Sequence, residues 1–210
     1  HKIRATVALN STVCQHYPAI VSEGKRGGWE FMGHGTTNSR SLRGLSREAE
    51  RQVIEETLDT IASAVGTKPQ GWLSPGLTEN LHTLGLLAEA GISYVCDWCN
   101  DDEPYPMTVG NKTIHSIPYT VELNDLGSYL NFHISPAQFR QNIVDQFEVL
   151  YQEGATRGKV MAIALHPFLS GQPFRAKYLD QALDYLRKFD KVWWATGGEI
   201  VDWYRSHCSR

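Results

Sequence analysis

Two histidines stand where chemistry can use them. His34 lies in FMGHGTTNSR, flanked by glycines and directly after an apolar run, and His166 closes the apolar run MAIAL. An imidazole near neutral pH can be a general acid, a general base or a metal ligand. Carboxylates accompany them: Asp97 in CDWCNDDEPY, and Glu122 and Asp125 in YTVELND. Histidines and carboxylates gathered at one mouth suit general acid–base hydrolysis. His166, His34, Asp97, Glu122 and Asp125 are therefore the candidate catalytic residues. Each also has a plainer reading: a turn residue for His34, a loop cap for Asp97, solvated groups for Glu122 and Asp125.

Asn38, Ser74, Trp98, Asp102, Tyr119, Asn124 and Arg175 are the candidate substrate contacts. Asn124, together with backbone amides, can hold a developing oxyanion. The donor fork of Arg175 suits an anionic or carbonyl-rich substrate, although an exposed cation at a helix start explains it equally.

A metal would change this picture. Zinc takes three protein ligands and leaves a fourth position for water. His34 is one clear ligand, but four residues on, where a second histidine would serve, stands Asn38. A neutral amide oxygen is a poor replacement for imidazole at zinc. The sequence leaves the cofactor open between none and zinc at His34, zinc being the lesser option. The lone Cys96–Cys99 pair in CDWC lacks the second pair that a zinc knuckle needs, so ordinary half-buried thiols explain it better.

Strand-like runs must position these groups. They are Ile3–Leu9, Trp29–Met32, Gly71–Leu73, Ile92–Cys96, Thr113–Pro118, Val160–Leu165 and Val192–Ala195. Helical periods separate several of them. Ile54, Leu58, Ile61 and Val65 share one face, between a Ser46 cap and a Gly66 stop. A second helix follows Thr78, carries Leu81, Leu84 and Ala88, and ends at Gly91. A third opens at Ser135-Pro136 with Gln138 completing a capping box, and buries Phe139, Ile143, Phe147 and Leu150. The fourth spans Arg175–Phe189. Alternation of this kind builds an α/β fold around a parallel sheet, open or closed into a barrel, here as a single domain over residues 1–210. The stretch Asp97–Ile134 reads as a long aromatic and polar functional loop. In such folds the site lies beyond the carboxyl ends of the strands, which is where the candidates fall.

The formal net charge of −3 and the absence of a large basic cluster argue against nucleic acid as a partner. No apolar run approaches the ~20 residues of a membrane span, and no signal peptide is visible. Scattered thiols suit a reducing compartment, so the cytoplasm is expected.

The ordered set MGHGTTN, GWLSPG, CDWCNDDEPY, PYTVELND and ALHPFLSGQPFR resembles the polysaccharide deacetylase superfamily, the NodB-homology fold. It is most similar to the branch of metal-independent allantoinase-like proteins, over roughly Ile3 to Trp203. The resemblance implies a distorted (β/α) barrel of about seven parallel strands and hydrolysis of a non-peptide carbon–nitrogen bond. It implies that His34 is the first histidine of a metal motif whose second falls on Asn38, and that His166 is the general acid on the departing amine. By the same resemblance Asp97 tunes that histidine. Ser74-Pro75 lies in a motif that normally carries an arginine, absent here, and the acidic first motif would fall upstream of residue 1. The strand Ile3–Leu9 would then be an exposed edge, and a homo-oligomer is expected. The implied substrate is a small amide or ureide, with an N-acetylated sugar or an inactive binding role as alternatives.

Overall fold

The computed structural model describes residues 1–208. Six strands form one sheet, in the spatial order β1 (Thr6–Leu9), β2 (Glu30–Gly33), β3 (Gly71–Trp72), β4 (Tyr94–Val95), β6 (Lys112–Ser116) and β5 (Tyr105–Val109). Neighbours run parallel except β5 and β6, which form an antiparallel hairpin. Gly110 turns this hairpin at φ 62°, a conformation glycine adopts without strain. The α/β class with a parallel-rich sheet is thus as the sequence leads one to expect.

Five of the seven expected runs are strands. Val160–Leu165 shrinks to a single parallel bridge between Asn124 and Ala164. Its partner segment turns away into a π-helical turn, Gly127–Asn131, so the ladder stops after one rung. Val192–Ala195 carries no strand among the described residues. Conversely, β5 lies inside what reads as a structureless loop. Pro106 reads as a breaker, but an edge strand tolerates proline.

The helices are α1 (Ser11–His16), α2 (Pro18–Arg26), α3 (Arg47–Val65), α4 (Thr83–Glu89), α5 (Pro136–Glu153), α6 (Pro167–Ser170), α7 (Pro173–Leu186) and α8 (Gly197–His207). Ser46 caps α3 by accepting from the Ala49 amide, and Gly66 ends it at φ 96°. Ser135 caps α5 through the Gln138 amide. The expected capping box there is only half made, because the Gln138 side chain bonds to Asn142 instead. The complete box belongs to α8, where Thr196 and Glu199 exchange both bonds. No apolar period announces α1 or α2. The helix expected after Thr78 starts five residues later, and Leu81 lies fully exposed before it.

The chain contacts cluster in two compact units. One holds the whole sheet: Ile3–Trp98, Pro104–Ile117 and the stretch from Trp194 onward. Its core packs Leu42, Val53, Ile54 and Leu58 against Trp72, Leu87 and Val95. The other comprises His1–Lys2, Cys99–Glu103 and Pro118–Trp193. There α5 buries Phe139, Ile143, Phe147 and Leu150, the face expected of it. Phe189 stands edge-on to Phe147 at 4.9 Å and to Tyr151 at 5.0 Å, closing that unit's helical layer. No helix among the described residues is long and apolar enough to cross a membrane.

Candidate active site

In the sheet unit, strand register aligns the site. Leu9, Gly33, Trp72, Val95 and Ser116 form one transverse row, because each pairs with the next. The residues just beyond are Asn10, His34, Leu73 and Cys96, so polar groups that are distant in sequence share one edge. Gly33 has no side chain for a reason: a Cβ there would lie 2.5 Å from the Trp72 ring. The packing of Trp72 thereby sets the backbone that carries His34.

His34 is half-buried and donates from Nδ1 to the Leu73 carbonyl at 2.5 Å. With its proton on Nδ1, the ring carries its lone pair on Nε2. Asn38 is exposed in a turn and forms no helical partner to His34, so the four-residue spacing has no helical meaning here.

Asp97 is buried, and both of its oxygens are occupied. Oδ1 accepts from the Ser74 amide at 2.6 Å and Oδ2 from the Ser74 hydroxyl at 2.7 Å. The same hydroxyl accepts from Trp72 Nε1 at 3.0 Å. Ser74 is therefore not a substrate contact: fully buried with its hydroxyl engaged on both sides, it positions Asp97. Glu79, which no sequence pattern marked, hydrogen-bonds to Asp97 and to half-exposed Trp98. Burial pushes its carboxyl up to about 8, helped by the Asp97 hydrogen bond and charge and by Glu50, and opposed by Trp98. Burial raises Asp97 as well, against the hydrogen bonds from Ser74 and Glu79. Two adjacent carboxyl groups cannot both ionise cheaply, so the pair shares a proton near neutral pH.

This pair has a stability consequence. A carboxyl whose folded value is raised retains its proton in the native state after the unfolded chain has lost it. Stability therefore falls as pH rises from the ordinary carboxylate range toward 8. Glu79→Gln, which stays neutral, should flatten that slope and gain on the order of 2 kcal/mol at pH 8, with solvent screening allowed for. Denaturant melts at pH 5 and pH 8 measure it; equal slopes in both proteins would contradict the shared proton.

The second unit holds the other histidine. Asp125 is fully buried and gathers three donors: His166 Nδ1 at 2.7 Å, the His166 amide at 2.9 Å and the Ser170 hydroxyl at 2.6 Å. Burial raises the Asp125 carboxyl, but these hydrogen bonds outweigh it and hold it below the usual range. The single bridge between Asn124 and Ala164 is what places Asp125 beside the chain that leads into His166. The aspartate bonded to His166 is thus Asp125, not Asp97, whose oxygens face Ser74. Sequence separation hid this pairing, since 41 residues divide Asp125 from His166. Ser170 also escaped notice, as one serine in a four-residue helix carries no pattern.

An open cleft of about 370 Å³ in this unit brings together Asp102, Tyr119 and Glu122, with Asp101, Thr120 and Gln146 on its walls. Asn124 is not placed as an oxyanion donor. Its amide donates to the Tyr119 hydroxyl at 3.0 Å and its oxygen accepts from the Leu126 amide, so it orients Tyr119. Arg175 is not an exposed helix-start cation. Its guanidinium lies 4.4 Å from the Tyr129 ring centre, and its Nε is buried without a hydrogen-bond partner.

A family model described as polysaccharide deacetylase matches residues 1–95. A crystal structure of a probable polysaccharide deacetylase from Pseudomonas aeruginosa PAO1 is 31% identical, with a TM-score of 0.90, over 99% of this chain and 70% of that one. The chain belongs to the polysaccharide deacetylase family. PuuE allantoinase superposes with a TM-score of 0.90 at 27% identity, over 98% of this chain and 68% of its own. The peptidoglycan deacetylase of Helicobacter pylori is 23% identical over 83% of this chain and 70% of its own length. As a family member the chain is a hydrolase of carbon–nitrogen bonds other than peptide bonds.

Zinc in this member of the family would need three donors. Among the described residues no group of three or more His, Cys, Asp or Glu side chains could hold a metal ion. His34 has a suitable tautomer, its Nδ1 proton fixed by a carbonyl, but Asn38 points to solvent. The side chains present do not fit a zinc centre.

Proposed function

We propose that this deacetylase-family hydrolase cleaves an N-acyl or ureide bond of a small molecule, with His166 as general acid. The Asp125–His166 pair carries the reading. Asp125 locks the imidazole with its proton on Nδ1 and leaves Nε2 for the substrate. Ser170 and the His166 amide fix the carboxylate, so the ring orientation is set before substrate arrives. Water adds to the carbonyl and yields its proton to Nε2 of His166, whose lone pair the Nδ1 proton leaves available. The carbon–nitrogen bond then breaks, and Nε2–H protonates the departing nitrogen. Similarity to PuuE allantoinase over nearly the whole chain supports a ureide, and similarity to peptidoglycan deacetylase supports an N-acetylated sugar as second reading. The cytoplasm is the setting of the first.

The test is a hydrolysis screen of allantoin and N-acetylglucosamine oligomers, with and without added zinc, using wild type and Asp125→Asn. Zinc-independent cleavage of allantoin that falls at least tenfold in Asp125→Asn supports the ureide reading. Cleavage of the acetylated sugar alone moves the assignment to the second reading. An Asp125→Asn protein as active as wild type defeats the role given to the pair.

A further inference from the structure

The segment that carries Glu79 is held in a less relaxed shape than a surface loop requires. It leaves β3 through Gly76 at φ 66° and Leu77 at φ 54°. A left-handed leucine persists only where its surroundings impose it. Here two anchors do so. The Thr78 hydroxyl donates to the Pro75 carbonyl at 2.8 Å. Asn80 donates to the Leu42 carbonyl at 2.8 Å and to Glu50 at 2.6 Å, and accepts from the Gly44 amide at 2.9 Å. Glu79 stands between these anchors. Its Oε1 is buried with no hydrogen-bond partner, so its bonds to Asp97 and to the Trp98 indole N–H are made by Oε2. A carboxylate only accepts, so a bond between Glu79 and Asp97 needs a proton. A charged Glu79 would also leave a buried anionic oxygen without a donor, whereas the neutral acid leaves only a carbonyl there. The bonding pattern itself therefore asks for a protonated Glu79, donating to Asp97 and accepting from Trp98.

Trp98 is half-exposed, and the residues that follow it, 99–102, line the open cleft of the other unit. We propose that Glu79 is a positioning residue: it is a proton-dependent latch that ties Trp98 to Asp97 and so fixes the start of the cleft-lining segment. The groups that face it are Asp97 beyond β4, Trp98 and, from α3, Glu50, which lies 2.7 Å from His82 Nε2. When Glu79 loses its proton, its bond to Asp97 becomes a repulsion between like charges. The indole N–H still finds an acceptor, so Glu79 draws Trp98 away from Asp97. Burial, the largest cause, pushes the Glu79 carboxyl up to about 8. The latch is thus closed at neutral pH and opens in mildly alkaline solution.

The experiment is a tryptophan fluorescence titration of the full chain between pH 6 and pH 9, with the Trp98 signal taken as the difference from Trp98→Phe. In wild type that signal should shift with a midpoint near 8. Glu79→Gln can donate to Asp97 and accept from the indole at any pH, so its signal should keep the low-pH value throughout. Glu79→Ala should show the high-pH signal already at pH 6. For whichever hydrolysis probe is turned over, KM in wild type should rise roughly threefold between pH 7 and pH 9. In Glu79→Gln it should stay level, while kcat follows the same pH profile in both proteins. The absence of a Trp98 transition, or the same transition in Glu79→Gln, would overturn the proposal. So would a transition that coincides with loss of far-ultraviolet circular dichroism, since that would be unfolding. The fluorescence decides whether or not a probe is turned over, so a failed assignment of His166 leaves this inference standing.

Discussion

His166→Ala should lower kcat by roughly 10²–10⁴-fold while the protein stays folded. The side chain is half-buried and its loss removes one hydrogen bond to Asp125, but the His166 amide and Ser170 remain on that carboxylate. A buried anion that retains two of its three donors costs about 1–3 kcal/mol, not the fold. The loss should appear equally in kcat and kcat/KM, because proton donation to the leaving nitrogen matters only in the transition state. Asp125→Asn should approach the same loss for a different reason. An amide in place of the carboxylate can present a donor to Nδ1 and free the ring to take the other tautomer. Asp125 also carries a pH signature. Its folded carboxyl titrates below its unfolded value, so its stabilisation is present above the ordinary carboxylate range and is lost as pH falls through the depressed value. Circular dichroism melts and single-turnover rates on the same preparations separate folding from chemistry. A folded His166→Ala protein with wild-type rates would remove the histidine from the mechanism.

Trp72→Ala is the largest stability effect expected. The indole is fully buried in the sheet unit, packed with Leu58 and Val95 and filling the space that Gly33 leaves open. Truncating a buried aromatic of this size costs about 3–5 kcal/mol through lost burial and a residual cavity. For a chain of this length that lowers Tm by about 10 °C. The indole N–H also holds the Ser74 hydroxyl, which in turn holds Asp97, so damage should spread to the Glu79–Asp97 pair. Trp72→Phe separates the two roles. It keeps most of the ring and removes the donor, at about 1 kcal/mol. Its pH-dependence of stability should change more than its melting temperature at pH 5. An alanine variant that melts with the wild type would show that the ring is not the keystone of this core.

These two residues illustrate what could be read without a structure. His166 was legible because it terminates an apolar run and precedes proline, a local signal that needs no partner. The α3 and α5 faces, with their serine caps, were legible for the same reason: helix period and cap chemistry live within a few residues of one another. Trp72, in contrast, has no local mark. Its importance comes from Gly33, some forty residues away in the chain, whose missing side chain admits the ring.

The amino-acid sequence by itself determined the α/β class, the parallel strands up to Ser116, the histidine proposed as general acid and a set of candidate carboxylates. Tertiary structure alone decided which carboxylate serves which partner. Asp97 went to Ser74 and Glu79, and Asp125 to His166, because strand register and one isolated bridge bring those side chains to hydrogen-bonding distance. It also decided that Val160–Leu165 makes only one rung of a ladder, since a strand exists only where a neighbour stays extended beside it. Local pattern encodes what a segment can become, whereas pairing depends on groups far apart in the chain that no local pattern connects.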